Sequence, residues 1–419
     1  MSHTNLYEFN LPGERQILSP RFVWFFFFLN TYGFYCIYLF VTAIGYGGIS
    51  SRPFSMFYRL VAFIVSIYVI ASITFVGRKW NNLSGLSLPL YMFWMLYSTR
   101  IVFDTVVFRD YELFRLPLDY WMYAFGIVLI PMTSFAWKLN MQQEKQGFSG
   151  LYAAAFMFCL LFVVFFRNSF DEGEGYRTAA QQNEGEFVHA IAIGYGGATT
   201  ALLAFWAFLQ KRGNYAVNMI AFTVGMYLMI LSGTRGAALS VSVTALIIIL
   251  TTKDTSRIFH GLIVAIVISF ALILFAGESA TDRLINLTQE IKNRDIEAGA
   301  GRGEIWAKAV DGFMEHPILG CSLELKTIGY YPHNIVLEAF HSTGILGGLL
   351  MIYLVLRGIY DAYLILKYRP EMGWISILFF RGLGEALVSG AVYILPLFWI
   401  ALVLARANCP SQKNMFVYR

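Results

Sequence analysis

The sequence predicts an all-α integral membrane protein with many transmembrane helices. Of its 419 residues, 58% are hydrophobic and only 14% are charged, whereas soluble domains average roughly 45–50% and about 25%. The apolar stretches continue almost from one end of the chain to the other. This pattern excludes a soluble globular enzyme, a disordered chain and a disulfide-rich secreted scaffold. The simplest organisation is a single membrane domain that covers residues 1–419.

Apolar stretches long enough to cross a bilayer occur about twelve times. A spanning helix needs about 20 mostly apolar residues, and the last two candidates are separated only by a tight turn at Ser389 and Gly390. The first twenty residues are polar and lack a cleavable signal pattern, so the first span is expected to direct insertion. The candidates are 22–46, 59–76, 87–107, 118–137, 149–166, 187–209, 215–231, 236–252, 258–276, 334–357, 374–388 and 390–405.

The placement of basic residues predicts cytoplasmic N- and C-termini. With the N-terminus inside, the inner segments carry both lysine and arginine, and the short outer loops carry arginine without lysine. This asymmetry agrees with the positive-inside rule, and an even number of spans returns the C-terminus to the cytoplasm. The arginines of the short outer loops are Arg52, Arg59, Arg109, Arg115, Arg167, Arg177 and Arg235.

Two outer loops are unusual. Residues 167–186 are polar and acidic, and residues 277–333 form a loop far longer than a helix connection needs. Loops longer than about 12–15 residues are usually functional or disordered. Within the longer loop, residues 280–292 and 303–315 have helical patterns of their own, and Pro317 ends the second. A folded outer loop of this kind is a candidate lid or wall of an active site.

Three outer-face residues suggest an anionic ligand beside a base. Arg235 is bracketed by glycines where two spans meet, and Arg302 precedes a predicted helix whose N-terminus would add donors for an anion. His333 lies where the long loop re-enters the membrane. The arginine fork suits phosphate, and histidine is the usual general base near neutral pH. Individually, each also has an ordinary interpretation, as an interfacial arginine, a solvated loop arginine or a helix-capping histidine.

Three pairs of opposite charges lie at membrane depth or at its edge with a spacing of four residues. This spacing puts both charges on one helix face, where they can pair. We interpret them as structural pairs, although charges inside a membrane also occur in transporters. Histidine and cysteine spacing predicts no metal site. The pairs are Arg100 with Asp104, Arg357 with Asp361 and Arg381 with Glu385.

The outer-face motifs resemble those of the O-antigen ligase and Wzy-type polymerase superfamily. They are SGTRGA at 232–237, GRGEIW at 301–306, HPILG at 316–320, PHNIVLE at 332–338 and GILG at 344–347. The resemblance covers roughly residues 228–350. It implies a GT-C-like glycosyltransferase of the bacterial inner membrane that works at the periplasmic face. It also implies a metal-independent, cofactor-free, inverting reaction whose donor is a glycan on undecaprenyl diphosphate.

The resemblance also implies roles for particular residues. Arg235 and Arg302 would hold the diphosphate, and His333 would accept the proton of the attacking hydroxyl. Glu338 would orient His333 or cap a helix, and Trp306 lies where a sugar ring could stack. The expected substrate contacts are Arg177, Trp306, Asn334 and Glu338.

Two activities within the family and one outside it are open. A polymerase extends a chain onto a lipid-linked repeat unit, whereas a ligase transfers the glycan to lipid A-core. The acidic loop and the Pro-His-Asn motif favour a polymerase, for which a chain-length regulator is an expected partner. Membrane lipid is a further partner, and nucleic acid is not. A lipid-linked oligosaccharide flippase or transporter is the alternative from another class, but the sequence lacks the internal repeat typical of transporters.

Overall fold

The computed structural model describes residues 18–46, 51–77, 87–107, 113–166, 190–251 and 302–410, together with residues 256, 259, 263 and 266. Within these ranges the regular structure is helical, apart from one antiparallel bridge between Leu325 and Tyr330. The predicted all-α class is therefore confirmed. The helices are α1 Pro20–Asn30, α2 Gly33–Val41, α3 Ser51–Ser72, α4 Ser87–Val102, α5 Pro117–Trp121, α6 Ile130–Ser134, α7 Met141–Phe166, α8 Ala190–Leu209, α9 Tyr215–Leu231, α10 Arg235–Thr251, α11 Arg302–Glu315, α12 Ile335–Tyr368, α13 Gly373–Val388 and α14 Pro396–Asn408.

Several of these helices could cross a membrane. Among the described residues, four are long and apolar enough, or five if the bent pair α1 and α2, which meet at 69°, forms one span. The four are Pro53–Phe75, Met141–Phe166, Ala190–Leu209 and Ile335–Tyr368. The count of about twelve stays a prediction, and most of the candidate at 258–276 lies outside the described residues. The candidate predicted at 390–405 begins later than expected: a 3-10 turn occupies Val392–Ile394, and the α-helix α14 starts only at Pro396.

Helix α8 lies at the centre of the packing, and small residues bring its neighbours close. A side chain at Gly197 would meet the carbonyl oxygen of Gly225 in α9 at 2.5 Å. A side chain at Gly194 would meet Ser232 and Thr234, which connect α9 to α10, at 2.6–2.7 Å. Small residues allow such backbone contact between membrane helices. The α9–α10 turn that carries Arg235 is therefore held directly on α8.

Helix α12 is broken where the outer loop packs into it. Gly344 has φ 69° and ψ −166°, outside the helical region. The amide of Ile345 donates to the carbonyl oxygen of Pro317 at 2.8 Å instead of to its own helix. A Cβ at position 344 would lie 2.1 Å from the carbonyl oxygen of Ile318. Only glycine accommodates both this backbone conformation and this approach.

Arg100 and Asp104 fasten the same loop to α4. Their ion pair measures 3.2 Å, as the four-residue spacing predicts. Asp104 also accepts from the amide of Leu323 at 2.6 Å, so the pair has a structural role. Arg357 with Asp361 and Arg381 with Glu385 are likewise paired. Arg100 donates further to the carbonyl oxygens of Leu319, Gly320, Cys321 and Ser342, at 2.9–3.0 Å.

Candidate functional site

His333 has a conformation that few non-glycine residues adopt. Its φ is +59°, in the sparsely populated left-handed region, which often marks functional positions. Nδ1 lies 3.2 Å from the carbonyl oxygen of Ser389. Because a carbonyl can only accept, Nδ1 carries the hydrogen in this contact and Nε2 keeps its lone pair. The rings of Tyr330 and Tyr331 pack against the imidazole, with centroids 5.0 and 4.6 Å away.

The surroundings of His333 favour the neutral imidazole. Burial lowers its pKa below the ordinary value of 6.5, and the positive charge of Arg302 lowers it further. The hydrogen bond to Ser389 opposes these two effects without cancelling them. A neutral imidazole with a free Nε2 lone pair can accept a proton at neutral pH.

Arg235 is presented by a tight turn beside the same Ser389. Gly233 has a φ of +59°, and Arg235, which is exposed, begins α10. A Cβ at the adjacent Gly236 would lie 2.5 Å from the hydroxyl of Tyr195 and 3.3 Å from the hydroxyl of Ser389. Glycine at 236 therefore lets the start of α10 approach the segment that binds His333.

Arg302 lies at the start of α11, and its charge acts on the imidazole of His333. It is half-buried, and its charge interacts with both His333 and Tyr195. One turn later, the indole nitrogen of Trp306 donates to the carbonyl oxygen of Pro332 at 3.0 Å. This bond fixes α11 against the residue that precedes His333. The helix predicted at 303–315 is thus observed, one residue longer.

Asn334 and Glu338 form hydrogen bonds within the protein. Asn334 caps α12 by accepting from the amides of Val336 and Leu337, and its amide group donates to the carbonyl oxygen of Leu387 at 3.1 Å. Glu338 is fully buried. It accepts from the Tyr97 hydroxyl at 2.6 Å and from the Val392 amide at 3.0 Å. Roles for either residue in substrate binding stay predictions.

Other predicted site features lie elsewhere or outside the described residues. Arg177 and the acidic loop at 167–186 fall outside them, as do the first 25 residues of the loop at 277–333. His341 is buried between the Ala309 carbonyl oxygen and the Ser322 hydroxyl, both at 3.3 Å. The described residues hold no group of three or more histidine, cysteine or acidic side chains that could bind a metal ion.

A second pair of arginines, which belongs to none of the sequence motifs, lies near this site. Arg59 and Arg115 both approach the hydroxyl of Tyr123. The sequence places both in outer loops, but Arg59 lies within α3, which begins at Ser51 and so extends into the expected loop. Nothing in the sequence indicates that two residues so far apart along the chain meet at one tyrosine.

Comparison with known proteins gives a family match in this region. Residues 219–352, about a third of the chain, match the family model described as O-antigen ligase. The matched segment contains Arg235, Arg302 and His333. No curated protein and no solved structure matches the chain.

Proposed function

Because residues 219–352 carry a domain of the O-antigen ligase and polymerase superfamily, we propose that the protein is a surface-polysaccharide glycosyltransferase of the bacterial inner membrane. Members of this family are glycosyltransferase-like membrane enzymes. The proposed donor is a glycan on undecaprenyl diphosphate. The proposed acceptor is a lipid-linked repeat unit at the periplasmic face, which makes the enzyme a polymerase of O-antigen, capsule or exopolysaccharide.

One observation carries the proposal. His333 bonds to Ser389, the start of α10 that carries Arg235 packs against Ser389 and Tyr195, and the charge of Arg302 acts on both His333 and Tyr195. Two arginines can neutralise a diphosphate leaving group without a metal ion. A base beside them can serve an attacking hydroxyl.

The reaction that fits these groups is a single displacement. The acceptor hydroxyl oxygen bonds to the anomeric carbon, and the bond from that carbon to the diphosphate oxygen breaks. The bonding electron pair leaves with the diphosphate, whose added charge Arg235 and Arg302 stabilise. The hydroxyl proton passes to Nε2 of His333. Attack from the face opposite the leaving group inverts the anomeric configuration.

A ligase is the second candidate, because the matching family model is described as O-antigen ligase. The two activities use the same donor and differ in the acceptor. Loss of a polymerase leaves single repeat units on the lipid A-core. Loss of a ligase leaves bare core, with lipid-linked polymer accumulating.

The test is a gel profile of lipopolysaccharide and capsule from a deletion strain complemented with variants. We expect wild type to restore a ladder, and Arg235→Ala, Arg302→Ala and His333→Ala to fail. Arg21→Ala, at an exposed arginine of α1 outside these motifs, is the matched control and should complement. Immunoblots of membrane fractions control for protein level. Full complementation by all three site variants would refute this site and return attention to a flippase or transporter.

A further inference from the structure

Two arginines from separate elements converge on one tyrosine hydroxyl. Nη2 of Arg59 in α3 donates to the Tyr123 hydroxyl at 3.1 Å. Nη1 of Arg115, which precedes α5, lies 3.4 Å from the same oxygen. Both guanidinium groups also cover the Tyr123 ring, with their central carbons 4.3 and 5.0 Å from its centroid. Two positive charges are thus held side by side against one aromatic ring.

Neither arginine forms an ion pair with a carboxylate in the part of the chain that the structure describes. The carboxyl group of Glu324 is close enough to interact with the charge of Arg115, but its hydrogen bonds come from the Tyr120 hydroxyl and the Phe114 amide. Two like charges at one hydroxyl repel each other, and a bound anion would relieve that repulsion. Six other half-buried or buried arginines do have carboxylate partners: Arg100, Arg212, Arg357, Arg369, Arg381 and Arg406.

A row of aromatic rings connects this arginine pair to His333. The Tyr123 and Tyr393 centroids are 6.4 Å apart, the Tyr393 and Tyr331 centroids 6.2 Å, and the Tyr331 and His333 centroids 4.6 Å. The start of α10, at Gly236 beside Arg235, approaches Ser389 instead, and α11, which begins at Arg302, is bonded through Trp306 to Pro332. His333 is therefore reached by two separate cationic groups.

The arginine pair is accessible from the bilayer side of the protein. Of the four candidate spans among the described residues, the one formed by α3 is the least buried: only 28% of its apolar stretch lies inside the protein. One turn before Arg59 on the same helix face, Met56 is 38% exposed. An anion attached to a lipid tail could reach Arg59 laterally, with its tail along this apolar face.

We propose that Arg59, Arg115 and Tyr123 form a second anion subsite, which binds the phosphate or diphosphate headgroup of the acceptor lipid. This inference rests on the proposed function and assigns the two cationic groups to two substrates. Arg235 and Arg302 bind the donor headgroup, and the Tyr123 subsite binds the acceptor headgroup. His333 then lies between the two lipids, where the acceptor hydroxyl is delivered.

The test counts bound molecules of a short lipid diphosphate. Purified full-length protein in phosphatidylcholine nanodiscs is titrated with farnesyl diphosphate, and native mass spectrometry reports the number bound. We expect two per wild-type chain and one for the Arg59→Gln/Arg115→Gln variant. Arg21→Gln, at an exposed arginine on α1, should keep two. Arg59→Gln alone should weaken binding of the second farnesyl diphosphate at least tenfold. This single variant tests the proposal if the double variant does not fold.

Two further measurements identify the source of the anion and separate this proposal from the proposed function. Nanodiscs containing phosphatidylglycerol should still give two bound farnesyl diphosphates; a fall to one would mean that ordinary phospholipid fills the subsite and would overturn the acceptor assignment. One or no bound molecule in wild type, or two in the double variant, would also overturn it. The site proposed for transfer is judged separately, by the gel profiles of the Arg235, Arg302 and His333 variants.

Discussion

Arg100 should control whether the outer loop stays attached to the membrane helices. Replacing it with glutamine removes donors from four backbone carbonyls and leaves the Asp104 side chain, 3% exposed, without its cation. A hydrogen bond to a charged group contributes about 1.5–3 kcal/mol, but the carbonyls can partly rehydrate, so these values do not add. Removing one partner of a buried ion pair costs about 3–5 kcal/mol. We expect a local destabilisation of about this size.

Hydrogen–deuterium exchange of the purified protein measures this effect directly. A peptide covering 317–325 includes the amides of Cys321 and Leu323, which bond to the His341 carbonyl oxygen and to Asp104. At about 1.4 kcal/mol for each factor of ten, their protection should fall by about 100-fold or more in Arg100→Gln. Arg369→Gln breaks a partly exposed pair and is the matched control. Unchanged protection of this peptide in Arg100→Gln would refute the assigned role.

Three other perturbations test the fold and the site. Gly344→Ala should lower the thermal unfolding temperature, because position 344 has a left-handed φ and its new Cβ would lie 2.1 Å from a carbonyl oxygen. Gly303→Ala is the control and should not lower it, because no atom lies within 4 Å of a Cβ there. Equal unfolding temperatures for the two variants would contradict the proposed strain at Gly344. Transfer should slow as pH falls through the lowered pKa of His333, because the protonated imidazole cannot accept a proton. In Arg302→Gln the pH at which transfer slows should rise, because a positive charge that lowers the His333 pKa is removed. Residual transfer rates measured against pH test this. An unchanged pH dependence would show that Arg302 does not act on His333. Tyr97→Phe should cost about 1–3 kcal/mol of stability because it leaves buried Glu338 with one donor fewer, and unchanged unfolding of this variant would show that the bond is dispensable.

The features that could be predicted from the sequence are those set by residues close together along the chain. Composition and hydropathy were enough for the all-α class, and the pattern at 303–315 predicted α11. Charge spacing predicted the three ion pairs, because residues four apart share a helix face. The glycine-flanked Arg235 and Arg302, with His333, were recognisable because each motif is contiguous.

Contacts between distant parts of the chain could not be predicted in this way. The polar atoms of Asn334, Trp306 and Glu338 bond to Leu387, Pro332 and Val392, and no local pattern reveals those partners. Local sequence patterns do not indicate which side chains of α3 meet those of the segment before α5. The convergence of two outer arginines on Tyr123 therefore required the structure.

The break in α12 has a consequence for the design of chimeras. The amide of Ile345 lies within an apolar span, where a missing hydrogen bond costs several kcal/mol, and its acceptor comes from Pro317 in the outer loop. The loop thus supplies a piece of the span's own backbone hydrogen bonding. Chimeras that replace residues 302–330 with the segment of another protein should replace 335–348 together with them. The loop and this half of the helix form one structural unit, and a graft that divides them should insert poorly into the membrane.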